Sequence, residues 1–157
     1  VLMVDMPPAE AGVINQKLRD SNIDSIFLIA PTTSESRIKS ILKMTSGYVY
    51  YVSLKGVTGA SITDNDEVER NVKSLRAFTD LPIVVGFGVK DATSARKMSR
   101  ASDGVIVGTA LVKSIGSLNA QEYIDKEDVE KCTAIIGAIR KELDSDKGSD
   151  STVKEHE

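Results

Sequence analysis

The chain has 157 residues, 41% of them hydrophobic and 27% charged, with 20 basic and 23 acidic side chains and a net charge of −3. That balance leaves no basic footprint for a polyanion, so nucleic acid is not an expected partner, and the composition is that of one folded domain with a real core. Apolar runs reach only about six residues against the ~20 needed to cross a bilayer, and no charged-then-apolar leader opens the sequence, so a cytoplasmic protein with no membrane association is expected.

The first element is the apolar run Val1–Met6, closed by Pro7-Pro8 and followed by helical spacing over 9–21. The same sequence of events recurs: Ile26–Ala30 then 34–45, Tyr48–Val52 then 64–78, Ile83–Val85 then 91–101, and Gly104–Val107 then 110–116 and a long 126–144. The five runs are short, β-branched or aromatic, and without polar alternation, which predicts buried parallel strands covered on both faces. Ser34 or Thr33, Asp64 and Asp91 stand where an N-cap oxygen is wanted. The fold class is therefore α/β with right-handed crossovers. Strand starts about 21 to 35 residues apart suit either a doubly wound sheet or five units of a (β/α)8 TIM barrel, whose units average ~30 residues. If it is a barrel, three strands are expected before Val1. Residues 145–157 read as a polar, disordered tail behind a partial barrel over 1–144, because "DSDKGSDSTVKEHE" has too little apolar surface to offset ordering.

The lone Cys132 allows no internal disulfide and reads as a buried thiol in a helix. His156, the single histidine, lies in the tail, so acid–base chemistry falls to carboxylates, tyrosines or lysines, or to groups outside this sequence.

In parallel α/β folds the ligand lies at the carboxyl ends of the strands, which directs attention to the turns there. "VVGFGVKD" and "VIVGTALVKSI" both pass from strand to helix through glycine. Their bare backbone lets amides approach an anion, and Thr109 adds a hydroxyl donor in front of a short helix, so a phosphate site is the preferred reading over two plain tight turns. No G-x-G-x-x-G or G-x-x-x-x-G-K-[ST] is present. Asp5, at a strand end before Pro-Pro, can act as a base, hold a substrate donor or simply order its own turn. Alternation sends Tyr48 and Tyr50 to one side of their strand and Tyr51 to the other, one side being the barrel interior. "SLKGVTGASI" carries two glycines and little apolar mass, which suits either a loop that closes over a pocket and delivers Thr58 or a solvated connector.

Taken in order, "VLMVDMPP", "IFLIAPTT", "GYVYYVSLKGVTGA", "LPIVVGFGV" and "SDGVIVGTALV" resemble the α subunit of tryptophan synthase, and the likeness runs from Val1 to about Leu143. The resemblance implies a (β/α)8 barrel of which this chain holds strands four to eight. It also implies a lyase of tryptophan biosynthesis that cleaves indole-3-glycerol phosphate to indole and glyceraldehyde 3-phosphate, acting in a heterotetramer with a β subunit. No cofactor is implied for this subunit; pyridoxal phosphate belongs to the partner. By the same resemblance Thr58 sits on the lid, Gly59, Phe87, Gly88, Gly108 and Thr109 hold or surround the phosphate, Leu28, Tyr50 and Ile106 line the substrate pocket, and Asp5 and Pro7 face the β subunit. Thr109 replaces the family's usual serine and keeps the hydroxyl. The family's catalytic glutamate and aspartate fall upstream of Val1, so residues 1–157 alone are expected to be inactive. An incomplete barrel would leave unpaired edge strands and a wetted apolar interior, which points to a fragment, a processed product or an assembly that covers them. The alternatives are another phosphate-binding barrel, such as a sugar-phosphate isomerase or a thiamine-phosphate synthase relative, and a non-catalytic module that grips a phosphorylated ligand or a partner.

Overall fold

A computed structural model of the chain describes residues 1–52, 64–86, 88–118 and 123–147. The elements follow the expected alternation: β1 (Leu2–Met3), α1 (Gly12–Asp20), β2 (Ile26–Ile29), α2 (Glu35–Met44), β3 (Val49–Val52), α3 (Asp64–Arg76), β4 (Ile83–Gly86), α4 (Ala92–Ser99), β5 (Gly104–Ile106), α5 (Thr109–Gly116) and α6 (Lys126–Lys147). α6 continues three residues past the end expected at 144, with Arg140 paired to Asp144 and the Ser145 hydroxyl donating to the Glu142 carbonyl in the added turn. The disorder expected of the tail beyond it falls on residues outside those described.

All five strands are parallel and their order in the sheet is β1-β2-β3-β4-β5. This settles the choice that spacing left open, because a doubly wound sheet reverses its strand order at a switch point whereas a barrel adds each strand beside the last. Register fixes which residues share a face. Met3, Phe27, Ile29, Val49, Tyr51, Ile83 and Val85 form one buried cluster with Ile41 of α2 and Val68, Val72 and Leu75 of α3. A second cluster joins Val89, Ala95 and Ile139, with Val105, Ile135 and Leu143 against it, where α6 packs on α4 and α5.

The opposite face departs from expectation. Leu28, Tyr50, Val52 and Val84 are only half-buried, while Leu2 and Val4 are 39% and 56% exposed. Helices cover one face of the sheet, not two. The strands nevertheless lack polar alternation, as the walls of a barrel interior must, since both the helix side and the lumen are packed in a closed barrel.

At the amino ends of the strands, side chains tie neighbours together. Asp103 accepts from the Ile83 amide at 2.8 Å and from Arg76 at 3.0 Å, joining the approaches to β4 and β5 to the end of α3. Burial pulls the Asp103 carboxyl upward, but those two hydrogen bonds and the Arg76 charge outweigh it and hold the group below the usual carboxylate range. The buried Asn15 of α1 and Ser25 both donate to the Met44 carbonyl at the end of α2, at 3.0 and 2.8 Å, and the Ser46 hydroxyl accepts from the Ser25 amide. Cys132 is buried, its thiol donating to the Ser114 carbonyl.

Two of the expected caps behave differently. Asp91 forms a full capping box, accepting from the Ser94 amide at 2.7 Å while Ser94 Oγ accepts from the Asp91 amide. Ser34 occupies the cap position of α2 without accepting from a backbone amide of its first turn; its hydroxyl shares a hydrogen bond with that of Ser36 at 3.3 Å. The Thr33 hydroxyl instead accepts from the Ala30 amide at 3.0 Å, closing the turn that leaves β2.

Candidate ligand site at the carboxyl ends of the strands

The carboxyl rim is built by residues that directly follow the paired strand ends. Gly86 pairs with Ile106, so the turns leaving β4 and β5 emerge side by side at the same end of the sheet. Gly88 sits at φ 75°, a left-handed conformation in which a Cβ would be strained. Gly108 is the N-cap of α5 with no side-chain oxygen over the first turn, open space lies where a Cβ would stand, and Thr109 begins the helix with its side chain exposed. The two glycine turns thus leave neighbouring strands at one end of the sheet, and Gly108 stands at the positive end of α5. Phe87, between Gly86 and Gly88, lies outside the described residues, as do Thr58 and Gly59 of the expected lid.

The pocket residues also converge. Leu28 pairs with Tyr50, and Tyr50 with Val84, which places Leu28 and Tyr50 on the open face; Ile106 reaches the same face through its pairing with Gly86 and of Gly86 with Val52. A Cβ built on Gly86 would stand 2.1 Å from Tyr50 Cε2 and 2.2 Å from its hydroxyl oxygen, so the ring occupies the space a side chain at 86 would take. Gly86 was read from the sequence as part of a turn; its role as a seat for Tyr50 was missed, although a glycine inside a strand is itself a sign of close approach. Burial, and then the neighbouring Tyr48, push the Tyr50 hydroxyl above the ordinary tyrosine range. It stays the neutral, hydrogen-bonding form at physiological pH.

Tyr51, one residue on, points the other way. It is 2% exposed, and its hydroxyl accepts from Asn71 Nδ2 of α3 at 2.8 Å.

At the other end of the rim a cavity of about 590 Å³ opens around the turns leaving β1 and β2. Asp5, Pro7 and Leu28 line it, together with Thr32, Thr33 and Arg37. Asp5 holds φ 57°, so the turn it ends is strained for a residue with a Cβ. The cavity does not include Tyr50, Gly88, Ile106, Gly108 or Thr109. Asp5 and Pro7 therefore stand apart from the glycine turns, with Leu28 between the two regions. Among the described residues no cluster of three or more histidine, cysteine or acidic side chains is arranged to hold a metal ion, and no helix is long and apolar enough to cross a membrane.

Comparison with known proteins places this geometry in a wider setting. The family profile described as "Tryptophan synthase alpha chain" matches residues 1–142. A curated tryptophan synthase alpha chain from Psychrobacter cryohalolentis is 44% identical over 146 residues, which is 92% of this chain and 54% of that protein. One from Neisseria meningitidis serogroup B is 48% identical over 143 residues, 91% of this chain and 51% of that one. Among solved structures, the alpha chain from Legionella pneumophila subsp. pneumophila superposes with a TM-score of 0.75 at 30% identity, covering 92% of this chain and 51% of its own. A tryptophan synthase complex from Pyrococcus furiosus gives 0.69 at 30% identity, with 89% and 53% covered. The chain spans about half the length of the relatives it matches.

Proposed function

The chain belongs to the tryptophan synthase alpha chain family, whose profile it matches over residues 1–142, and on that premise we propose that it forms the phosphate-gripping and indole-facing half of a lyase that cleaves indole-3-glycerol phosphate to indole and glyceraldehyde 3-phosphate. The observation that carries this reading is the Gly86–Ile106 pairing, by which the turns through Gly88 and Gly108 leave neighbouring strands at the same end, ahead of α5. Backbone amides in the glycine turns, the helix dipole and the Thr109 hydroxyl all favour a dianion at that place. Leu28, Tyr50 and Ile106 offer an apolar and aromatic wall on the same face, suited to the flat indole ring. Gly59 and Phe87 as phosphate contacts and Thr58 as a lid residue are carried over from the family resemblance alone, since all three lie outside the described residues.

The reaction requires an acid that protonates the indole ring carbon and a base at the glycerol hydroxyl, work suited to two positioned carboxylates. These fall in the half of the family's length that residues 1–157 do not span, so the chain alone binds but does not turn over. No cofactor is needed in this subunit. Asp5 and Pro7, on the cavity at the β1 end of the rim, face a pyridoxal-phosphate-containing β subunit to which indole passes; the Pyrococcus furiosus relative is described as part of a tryptophan synthase complex.

Calorimetric titration of residues 1–157 with glycerol 3-phosphate tests the grip, and fusion to the first half of the Neisseria meningitidis relative tests the chemistry. Phosphate binding by both, with indole released from indole-3-glycerol phosphate only by the fusion, is the expected result. Absence of phosphate binding in the folded fusion sinks the reading, and binding with no indole released by the fusion favours a non-catalytic module.

A further inference from the structure

Tyr50 and Tyr51 are consecutive residues of β3 with opposite surroundings. Tyr50 lies on the open face, half-buried, its ring laid over the bare backbone of Gly86 on the neighbouring strand. Its hydroxyl takes no hydrogen bond among the described residues; its place is set by the strand that carries it and the seat that receives it. Tyr51 sits on the helix-facing side, fully buried, with its hydroxyl accepting from Asn71 Nδ2 at 2.8 Å. Side chains at adjacent strand positions leave the backbone in opposite directions, so rolling or sliding β3 to suit one moves the other.

The ladders to β2 and β4 set the register of β3, and its helix side packs against Ile29, Val72, Leu75 and Val85. Those apolar contacts resist separation but do less to fix the roll of the strand against α3. A hydrogen bond with defined length and angle resists that roll, and losing it deprives the part-buried Asn71 amide of this partner. The Asn71–Tyr51 bond is a directional contact between β3 and α3 at the height of the pocket.

We propose that Asn71 is a positioning residue: through its hydrogen bond to Tyr51 it steadies the roll of β3 against α3 and thereby holds the Tyr50 ring in its seat over Gly86, on the wall that meets the substrate's aromatic part. This rests on the reading of that wall given above. It also gives Tyr51, which touches no part of the open face, an indirect function at the pocket. Burial-raised ionisation of Tyr50 offers a local reporter of whether the ring is seated.

The test uses residues 1–157 labelled with 3-fluorotyrosine, the four tyrosine resonances being assigned by single Tyr→Phe variants. Asn71→Leu keeps the branched four-atom skeleton, with a larger volume, and removes the donor. In it the Tyr50 fluorine resonance is expected to move towards its unfolded position, with ionisation at lower pH than in the parent chain. Asp91→Ala, which removes the cap at the exposed start of α4 and touches neither Asn71 nor Tyr51, serves as a control for destabilisation alone and should leave the Tyr50 signal in place. Should Asn71→Leu fail to fold, Tyr51→Phe, which retains the buried ring, should move Tyr50 in the same way. An unmoved Tyr50 resonance in folded Asn71→Leu or Tyr51→Phe overturns the proposal, as does an equal movement in Asp91→Ala. Indole added to the parent chain reports separately on the wall: if Asn71→Leu moves Tyr50 but indole does not, the positioning stands and the functional reading of that wall fails.

Discussion

Replacement of Gly86 by alanine sets two effects of opposite sign against each other. The backbone at Gly86 is not left-handed, so alanine fits its conformation, and reducing the freedom of the unfolded chain would by itself stabilise by about 0.4–1 kcal/mol. Against this, the new methyl would lie 2.1, 2.2 and 2.4 Å from Cε2, the hydroxyl oxygen and Cζ of Tyr50, where carbon contacts want about 3.5–4.0 Å. The obstructing atoms are the far end of a rotatable ring beside an open face, so the ring swings out and the cost falls at the lower end of the roughly 1–3 kcal/mol typical of overpacking. The two nearly cancel, leaving a net loss of about 0.5 kcal/mol or less, roughly 1–2 °C in melting temperature. The same substitution in a Tyr50→Ala background meets no ring and should be neutral or stabilising. Circular-dichroism melts of the parent, both singles and the double close the cycle, with a coupling of about 1 kcal/mol or more expected. Additive effects, with Gly86→Ala equally costly in both backgrounds, would refute the seating of Tyr50 on Gly86.

Asp91→Ala removes the capping box of α4 and should cost about 1 kcal/mol. The Ser94 amide and then its hydroxyl hold the Asp91 carboxyl below its ordinary value, so the contribution is complete above the unfolded value near ~3.9 and is lost as pH falls through the lower folded value; the melting difference between parent and variant should therefore vanish on acidification below about pH 4. Ile139→Ala, at the centre of the cluster joining α4 and α6, should cost about 2–5 kcal/mol in chemical denaturation, and a loss under 1 would place α6 elsewhere. Thr109→Val keeps the shape and deletes the hydroxyl, so calorimetry with glycerol 3-phosphate should find affinity reduced roughly 10-fold or more, as expected for one hydrogen bond to a charged group. Unchanged affinity would remove Thr109 from the phosphate site.

The strands and helices were legible because each signal is local: β-branched runs, helical spacing, and Asp91 followed three residues later by Ser94. The paired glycine turns were legible for the same reason, since parallel strands place their exits at one end once the sheet is known. Strand order was not readable from spacing, because doubly wound and barrel folds use similar unit lengths; it is decided by which strands pair. The one-sided cover of the sheet was misread because a barrel lumen demands the same uninterrupted apolar runs as a second helix layer. Gly86 and Asn71 escaped for a common reason. Each matters through a side chain remote in sequence, Tyr50 and Tyr51; the strand glycine signals a close approach without saying to what, and nothing local marks Asn71. Ser34 was assigned a cap on residue type, yet the Thr33 hydroxyl is spent on the Ala30 amide and that of Ser34 faces Ser36.

The two ends of the sheet are fastened by different means. At the amino ends Asp103, Arg76, Asn15, Ser25 and Ser46 form a belt of side-chain hydrogen bonds, whereas the ligand rim depends mainly on glycine and on the direction of the backbone. Drift in the rim loops can thus change what is recognised without unfastening the scaffold. A substitution in the belt should act instead on abundance, leaving the preference of the surviving molecules untouched.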